Sequence, residues 1–223
     1  MEIIEEFDNK LVCDKGNMLL YSYLKDNIKT YKLLFAINNI DTSKINLENF
    51  LSLNIWKLID KINPDLIEKI HIMKVYNDND ADILILLKQI AKDIGMKQKY
   101  IIFNTKRKLD NINNRIIFIN KDLNLVDNNK MKEYLKSINI NINRYEKIVY
   151  NFGIIKISLS NINITELEDK NNKTNKTNII NSKFETDFQL IINDNLPIYM
   201  ENLIGLIIKK IFYNLKVFID NLE

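Results

Sequence analysis

Short apolar runs separated by Asp, Asn and Lys dominate the first forty positions. Residues 3 to 13, residues 18 to 24 and "YKLLFAIN" at 31 to 38 follow this pattern, which predicts strands of an antiparallel sheet. The pattern then changes period. Leu47, Leu51, Ile55, Leu58 and Ile62 recur at helical spacing after the candidate caps Asp41 and Ser43, and Asn63-Pro64 ends the helix, because the residue before a proline is pushed out of the helical region. "LIEKIHIMKVY" partly alternates and predicts a strand. "DADILILLKQIAKDIGM" has Ile83, Leu86, Leu87, Ile90 and Ile94 at helical spacing with Gly95 near its end, which predicts a second helix.

Further along, "KYIIFNT", "NRIIFIN" and "KIVYNFGIIKISLSNINI" predict strands, and "NNKMKEYLKSI" predicts a short helix between the second and third. The segment "ELEDKNNKTNKTNIINSK" is almost free of apolar residues before Ile179 and reads as a surface loop or a disordered connection. "FETDFQLIIND" is a last strand, followed by the helix of "NDNLPIYMENLIGLIIKKIFYNLKVFIDNLE". Ile204, Ile207, Ile208, Ile211, Phe212, Leu215, Phe218, Ile219 and Leu222 share one broad face of that helix, which should lie on a core. Leu203, Leu206, Tyr213 and Val217 form a second apolar group opposite. Lys209 and Lys210 interrupt the run, so it is not a membrane span, which needs roughly 20 apolar residues with few or no charges.

The chain of 223 residues is 46% hydrophobic and 27% charged, ordinary values for a globular protein with one or two domains. A net charge of +3 makes no electrostatic case for autonomous nucleic-acid binding. One cysteine, Cys13, excludes an internal disulfide framework and a zinc site built on cysteine pairs. The acidic start "MEIIEEFDNK" lacks the basic and apolar segments of a signal peptide, so an intracellular location is expected. Asn is abundant and Gly is scarce, with four in the chain, so Asn is expected to take over turn positions.

Candidate chemistry is sparse. Asp78, Asp80 and Asp82 have the opening spacing of a calcium loop, but its required Gly and bidentate Glu fall on Ile83 and Gln89, so a solvated turn is the reading. His71 is the single histidine and has no partner in sequence. Lys106, Arg107, Lys108 and Arg115 sit on a predicted hairpin, where a solvated loop is favoured over phosphate contact. No phosphate loop, dinucleotide glycine pattern or catalytic triad is present. No catalytic site, cofactor or metal is therefore expected, and a scaffold or interaction role follows.

The order of motifs resembles the α-like assembly subunit of multisubunit RNA polymerase, a family spanning the third-largest eukaryotic subunit, the archaeal D subunit and the bacterial α N-terminal region. "KLLFAINNID", the helix to Ile62, Pro64, "IEKIHIMKVYND" and "IAKDIGM" follow the family's order, with Ile90, Ala91, Ile94 and Gly95 on its motif. Lys121, Asp122 and Leu123 match a strand ending in Ser-Lys-Asp-Leu, Gly153 matches a strand turn, and Pro197 matches the turn before the closing helix. The family's Asn-Ala-Leu-Arg-Arg is missing from the first helix.

The resemblance implies an α+β fold: an antiparallel sheet with two packed helices, formed discontinuously by residues 1–64 and 183–223, plus an inserted mixed domain at 65–182. It implies dimerisation through Leu203, Leu206, Ile208, Phe212, Tyr213 and Val217 with Leu51 and Ile55. The implied partners are a smaller α-like subunit or a second copy, and the second-largest polymerase subunit, with DNA reached only through the complex and no membrane partner. The chain would then be a non-catalytic component of a DNA-directed RNA polymerase. Two other readings stand beside this one: an unrelated interaction protein, such as a viral structural or regulatory factor, and a nucleic-acid-binding module using the 106–115 loop.

Overall fold

The computed structural model describes residues 10–89, 97–123, 128–141, 144–161, 179–191 and 202–221. Three strands open the described chain: β1 (Lys10–Asp14), β2 (Met18–Lys25) and β3 (Ile28–Asp41). A two-residue turn joins β2 to β3, and both of its residues, Asp26 (φ 52°) and Asn27 (φ 59°), are left-handed. Two consecutive positive φ angles match the twist of an antiparallel hairpin. Asn17, Asn39 and Asn114 also adopt positive φ, so Asn does supply turn geometry in this glycine-poor chain.

The predicted first helix is two short helices, α1 (Leu47–Leu51) and α2 (Ile55–Ile62). The Asn46 side chain, which accepts from Glu48 N, caps α1. Asn63 follows α2 and is fully buried; its Nδ2 donates to Ile59 O at 3.0 Å. After Pro64 come β4 (Ile67–Asn77) and β5 (Asp80–Leu87). Residues 80–87 are thus a strand where helical spacing predicted a helix. Ala81, Ile83, Ile85 and Leu87 join the main core, whereas Leu84 and Leu86 join a second cluster on the opposite face. A strand buried on both faces is apolar throughout, and that removes the alternation which would have marked it.

The chain continues through β6 (Gln98–Asp110), β7 (Arg115–Asp122), α3 (Asn128–Ser137), β8 (Tyr145–Lys147), β9 (Val149–Ser160) and β10 (Ile179–Ile191) to α4 (Leu203–Asp220). The strands form one sheet in the order β1-β2-β3-β10-β9-β7-β6-β5-β4, with β8 beside β6. Its pairs are antiparallel, apart from the parallel β6–β8 pair. The predicted fold class is corrected on this point: strands from the proposed insert pair directly with strands from the proposed dimerisation domain. β10 itself runs across the boundary expected at 182/183.

One face of the sheet is gripped by α4 and α2. Phe35, Phe184, Phe188, Ile155 and Phe103 on that face belong to the same core cluster as Trp56, Ile59, Ile211 and Leu215 from the helices. Two polar links join the end of α2 to α4, and a third joins α4 to the β1–β2 turn. Asn63 Nδ2 also donates to Ile211 O at 3.4 Å, Asn214 Nδ2 donates to Asn63 Oδ1 at 2.9 Å, and Lys209 Nζ donates to Lys15 O at 2.8 Å. Lys209 is accordingly buried, its stem packed and its ammonium on a carbonyl. On the other face, Leu135 of α3 packs with Leu84, Leu86 and Ile102. No helix among the described residues is long and apolar enough to cross a membrane.

Candidate functional site

Inward-facing positions of β4, β5, β6, β9 and β10 meet α2 and α4 around a small void of about 50 Å³. Ile101 and Phe103 form its floor on β6, Ile155 and Phe188 on β9 and β10, and Trp56, Ile208 and Phe212 its roof. None of the residues lining it is charged. The alternation of these strands explains the apolar floor, since one side of each points under the helices.

Polar atoms interrupt that lining. Trp56 and Thr186 line the void, and their Nε1 and Oγ1 atoms are buried without a hydrogen-bond partner. Tyr150 also lines it, and its hydroxyl receives a 3.3 Å hydrogen bond from Asn120 Nδ2. Asn120 Oδ1 and, on the neighbouring strand, Thr105 Oγ1 are buried without partners as well. A buried polar atom left unpaired costs about 1–3 kcal/mol.

Burial pushes the Tyr150 phenol up to about 12, against the opposing pull of the Asn120 hydrogen bond. An unfolded tyrosine titrates near 10, so between pH 10 and about 12 the unfolded chain releases a proton that the folded chain keeps. The stability linked to Tyr150 is complete below pH 10 and is lost as pH rises through that window. Tyr150→Phe should therefore lose stability less steeply than the parent chain between about pH 10 and pH 12 in urea titrations. Equal slopes would contradict a buried neutral phenol.

The positions singled out in the sequence are distributed as follows. Leu51, Ile55 and Phe212 are buried in the chain's own core, and the Phe212 ring lies 6.1 Å from that of Phe35. Ile208 lines the void. Leu203 and Tyr213 are partly buried against the core, Val217 is half-buried and Leu206 is exposed. Asp122 accepts from Lys147 Nζ at 2.6 Å and from Tyr150 N at 3.2 Å. Leu123 packs on the α3 cluster, Lys121 is exposed and Gly153 backs onto Tyr150. Ile90, Ala91, Gly95 and Pro197 lie outside the described residues.

Asp80 and Asp82 are bridged by Asn104 Nδ2 at 2.7 and 2.9 Å, and Lys106 reaches Asp80 at 3.2 Å. Lys106–Lys108 lie in β6 and Arg115 in β7, so the basic segment is a hairpin. His71, on β4, is pulled below the usual histidine range by burial and by Lys69. Trp56, Tyr150 and Thr186 were not singled out in the sequence. Their only signal was a polar atom at an inward position of an otherwise apolar face.

A sheet wrapped around a C-terminal helix with an apolar space between them is the helix-grip fold of StAR-related lipid transfer domains. The lipid transfer and protein localization domain of human StarD13 (DLC2) matches with a TM-score of 0.62 over 93% of this chain and 87% of that one, at 9% identity. Human StAR-related lipid transfer protein 5 matches with a TM-score of 0.57 over 96% and 85%, at 7% identity. A STAR-related lipid transfer protein fragment from Xanthomonas axonopodis matches with a TM-score of 0.53 over 96% and 98%, at 9% identity. No family model and no curated protein matches the sequence. Identity this low establishes a shared fold and nothing finer. It overturns the resemblance to the polymerase α-like subunit, and with it the scaffold role, the transcription assignment and the two polymerase partners. The alternatives of an unrelated interaction factor and a nucleic-acid-binding module are likewise unsupported.

Proposed function

We propose that the chain binds an apolar ligand, of the lipid class, between α4 and the gripping face of the sheet. The observation that carries this reading is the uncharged void under α4, lined by Trp56 and Thr186, whose buried polar atoms have no partner. The fold supports it, since solved structures that share it are named as lipid transfer proteins. At about 50 Å³, the void is too small for a lipid chain, since ligand pockets run to roughly 300–1,000 Å³. A lipid chain therefore enters only as α4 or α2 moves outward, opening the layer that Ile208 and Phe212 now fill.

Titration with a fluorescent acyl-chain probe tests the proposal. The parent chain should bind it saturably. Ile208→Trp, which places an indole in the void, should weaken binding about tenfold or more, whereas exposed Lys210→Glu should leave it unchanged. Absence of probe binding, or equal binding by a folded Ile208→Trp variant, would overturn the proposal.

A further inference from the structure

The two helices that close the void are fastened to opposite ends of the strand order. α4 rests on β1–β3. Its Gly205 lies so close to Tyr31 of β3 that a Cβ would stand 2.6 Å from that ring, and Lys209 Nζ donates to Lys15 O at 2.8 Å. Tyr213 packs on Gly16, where a Cβ would stand 2.7 Å from the ring. α2 is fastened at the other end of the sheet. Asp60 accepts from Ile70 N of β4 at 2.8 Å and from Lys69 Nζ at 2.5 Å, and Trp56 meets Phe103 of β6 edge-on at 5.1 Å.

The polar link between the helices runs through one asparagine. Asn63 follows α2 and is held there by Pro64 and by its own carbonyl, which accepts from Leu66 N at 3.1 Å and Ile67 N at 2.9 Å. Its buried amide donates to Ile59 O of α2 at 3.0 Å and to Ile211 O of α4 at 3.4 Å, and its Oδ1 accepts from Asn214 Nδ2 at 2.9 Å. Among the described residues, every hydrogen bond from α2 or its following turn to α4 involves Asn63 or Asn214, the remaining one running from Asn214 Nδ2 to Asp65 Oδ1 at 3.5 Å. Ile59 and Ile211 both line the void. The Asn63 amide therefore bridges the backbones of two residues that close the chamber from opposite sides.

We propose that the seam between α2 and α4 is the entrance to the chamber and that Asn63, with Asn214, is its latch. The helices part from each other while α4 keeps its contacts with β1–β3. Hydrogen bonds suit a latch, because water replaces them as it opens and the net loss is small. Lifting α4 off β1–β3 would instead carry Gly205 and Phe212 away from Tyr31 and Phe35 and put those buried rings in water. The apolar surface uncovered at the seam is lining that a ligand then covers. The entrance has a purpose only under the ligand reading, on which it rests, but its opening is measured with no ligand present.

A buried thiol reports that opening. In a Cys13→Ser background, Thr186→Cys places a thiol among the residues lining the void, and its rate of reaction with a small maleimide follows the population of the open form. Asn214→Ala removes part of the latch and suits a helix interior; it should speed labelling about tenfold. Lys209→Met cuts the link from α4 to the β1–β2 turn and should change the rate by less than about twofold. Both variants are labelled without denaturant, and their unfolding midpoints separate local opening from global unfolding. No gain for Asn214→Ala, or an equal gain for Lys209→Met, would overturn the seam. An acyl-chain lipid, added last, should slow labelling in each variant. The expected ranking with labelling untouched by the lipid would overturn the ligand reading and leave the seam in place.

Discussion

Phe184→Ala should destabilise the chain by about 3–5 kcal/mol, the range for removing a fully buried aromatic side chain and leaving a cavity. Phe184 lies on β10, near the middle of the sheet, and is completely buried. Its ring stacks on Phe35 at 4.4 Å with an interplanar angle of 7°, and meets Phe50 of α1 edge-on at 5.4 Å. One side chain thus joins two neighbouring strands to the α1–α2 layer. Globular domains are stable by only about 5–15 kcal/mol, so the variant should lie close to its unfolding limit. A denaturant midpoint is the readout, with Ile179→Ala on the same strand as an exposed comparison that should shift stability by less than about 0.5 kcal/mol. A Phe184→Ala midpoint near that of the comparison would contradict the packing described.

Gly153→Ala is the second large effect, at about 2–3 kcal/mol of destabilisation. On β9 a Cβ at this position would lie 2.5 Å from Tyr150 Cζ and closer still to its hydroxyl. Tyr150 cannot easily yield, since its ring packs on Phe103 at 5.1 Å and its hydroxyl is bound to Asn120. Strand propensity alone favours Ala over Gly, so the sign of the effect separates packing from propensity. Adding Tyr150→Phe removes the closest atom and should return part of the loss, a coupling that a double-mutant cycle reads directly. Full additivity, or a stabilising Gly153→Ala, would contradict the contact.

Local features were legible where short-range physics decides them. The end of α2 at Asn63-Pro64, the strands at 18–24 and 31–38, α3 and the apolar stripe of α4 all follow from period and punctuation. Two errors have specific causes. Residues 80–87 are apolar on both faces of β5, so period could not separate strand from helix. The larger error lay in topology. Three strands, a helical stretch, a proline, more strands and a closing helix describe both the polymerase-like arrangement and this one. What separates them is that β9, from the expected insert, pairs along its length with β10 and so makes one continuous sheet, and no local pattern records that pairing. The chamber was hidden for the same reason: Trp56, Tyr150 and Thr186 converge only once α2, β9 and β10 are assembled.

The central claim is that an apolar ligand occupies the space under α4, and covalent mapping tests it most directly. A photoactivatable acyl-chain probe is irradiated with the full chain and the modified peptides are sequenced. Adducts should concentrate on inward positions of β6, β9 and β10 and on the α4 face carrying Ile208 and Phe212, and an excess of unlabelled lipid should compete them away. Adducts confined to the outer face of the sheet, or insensitive to competition, would contradict the account.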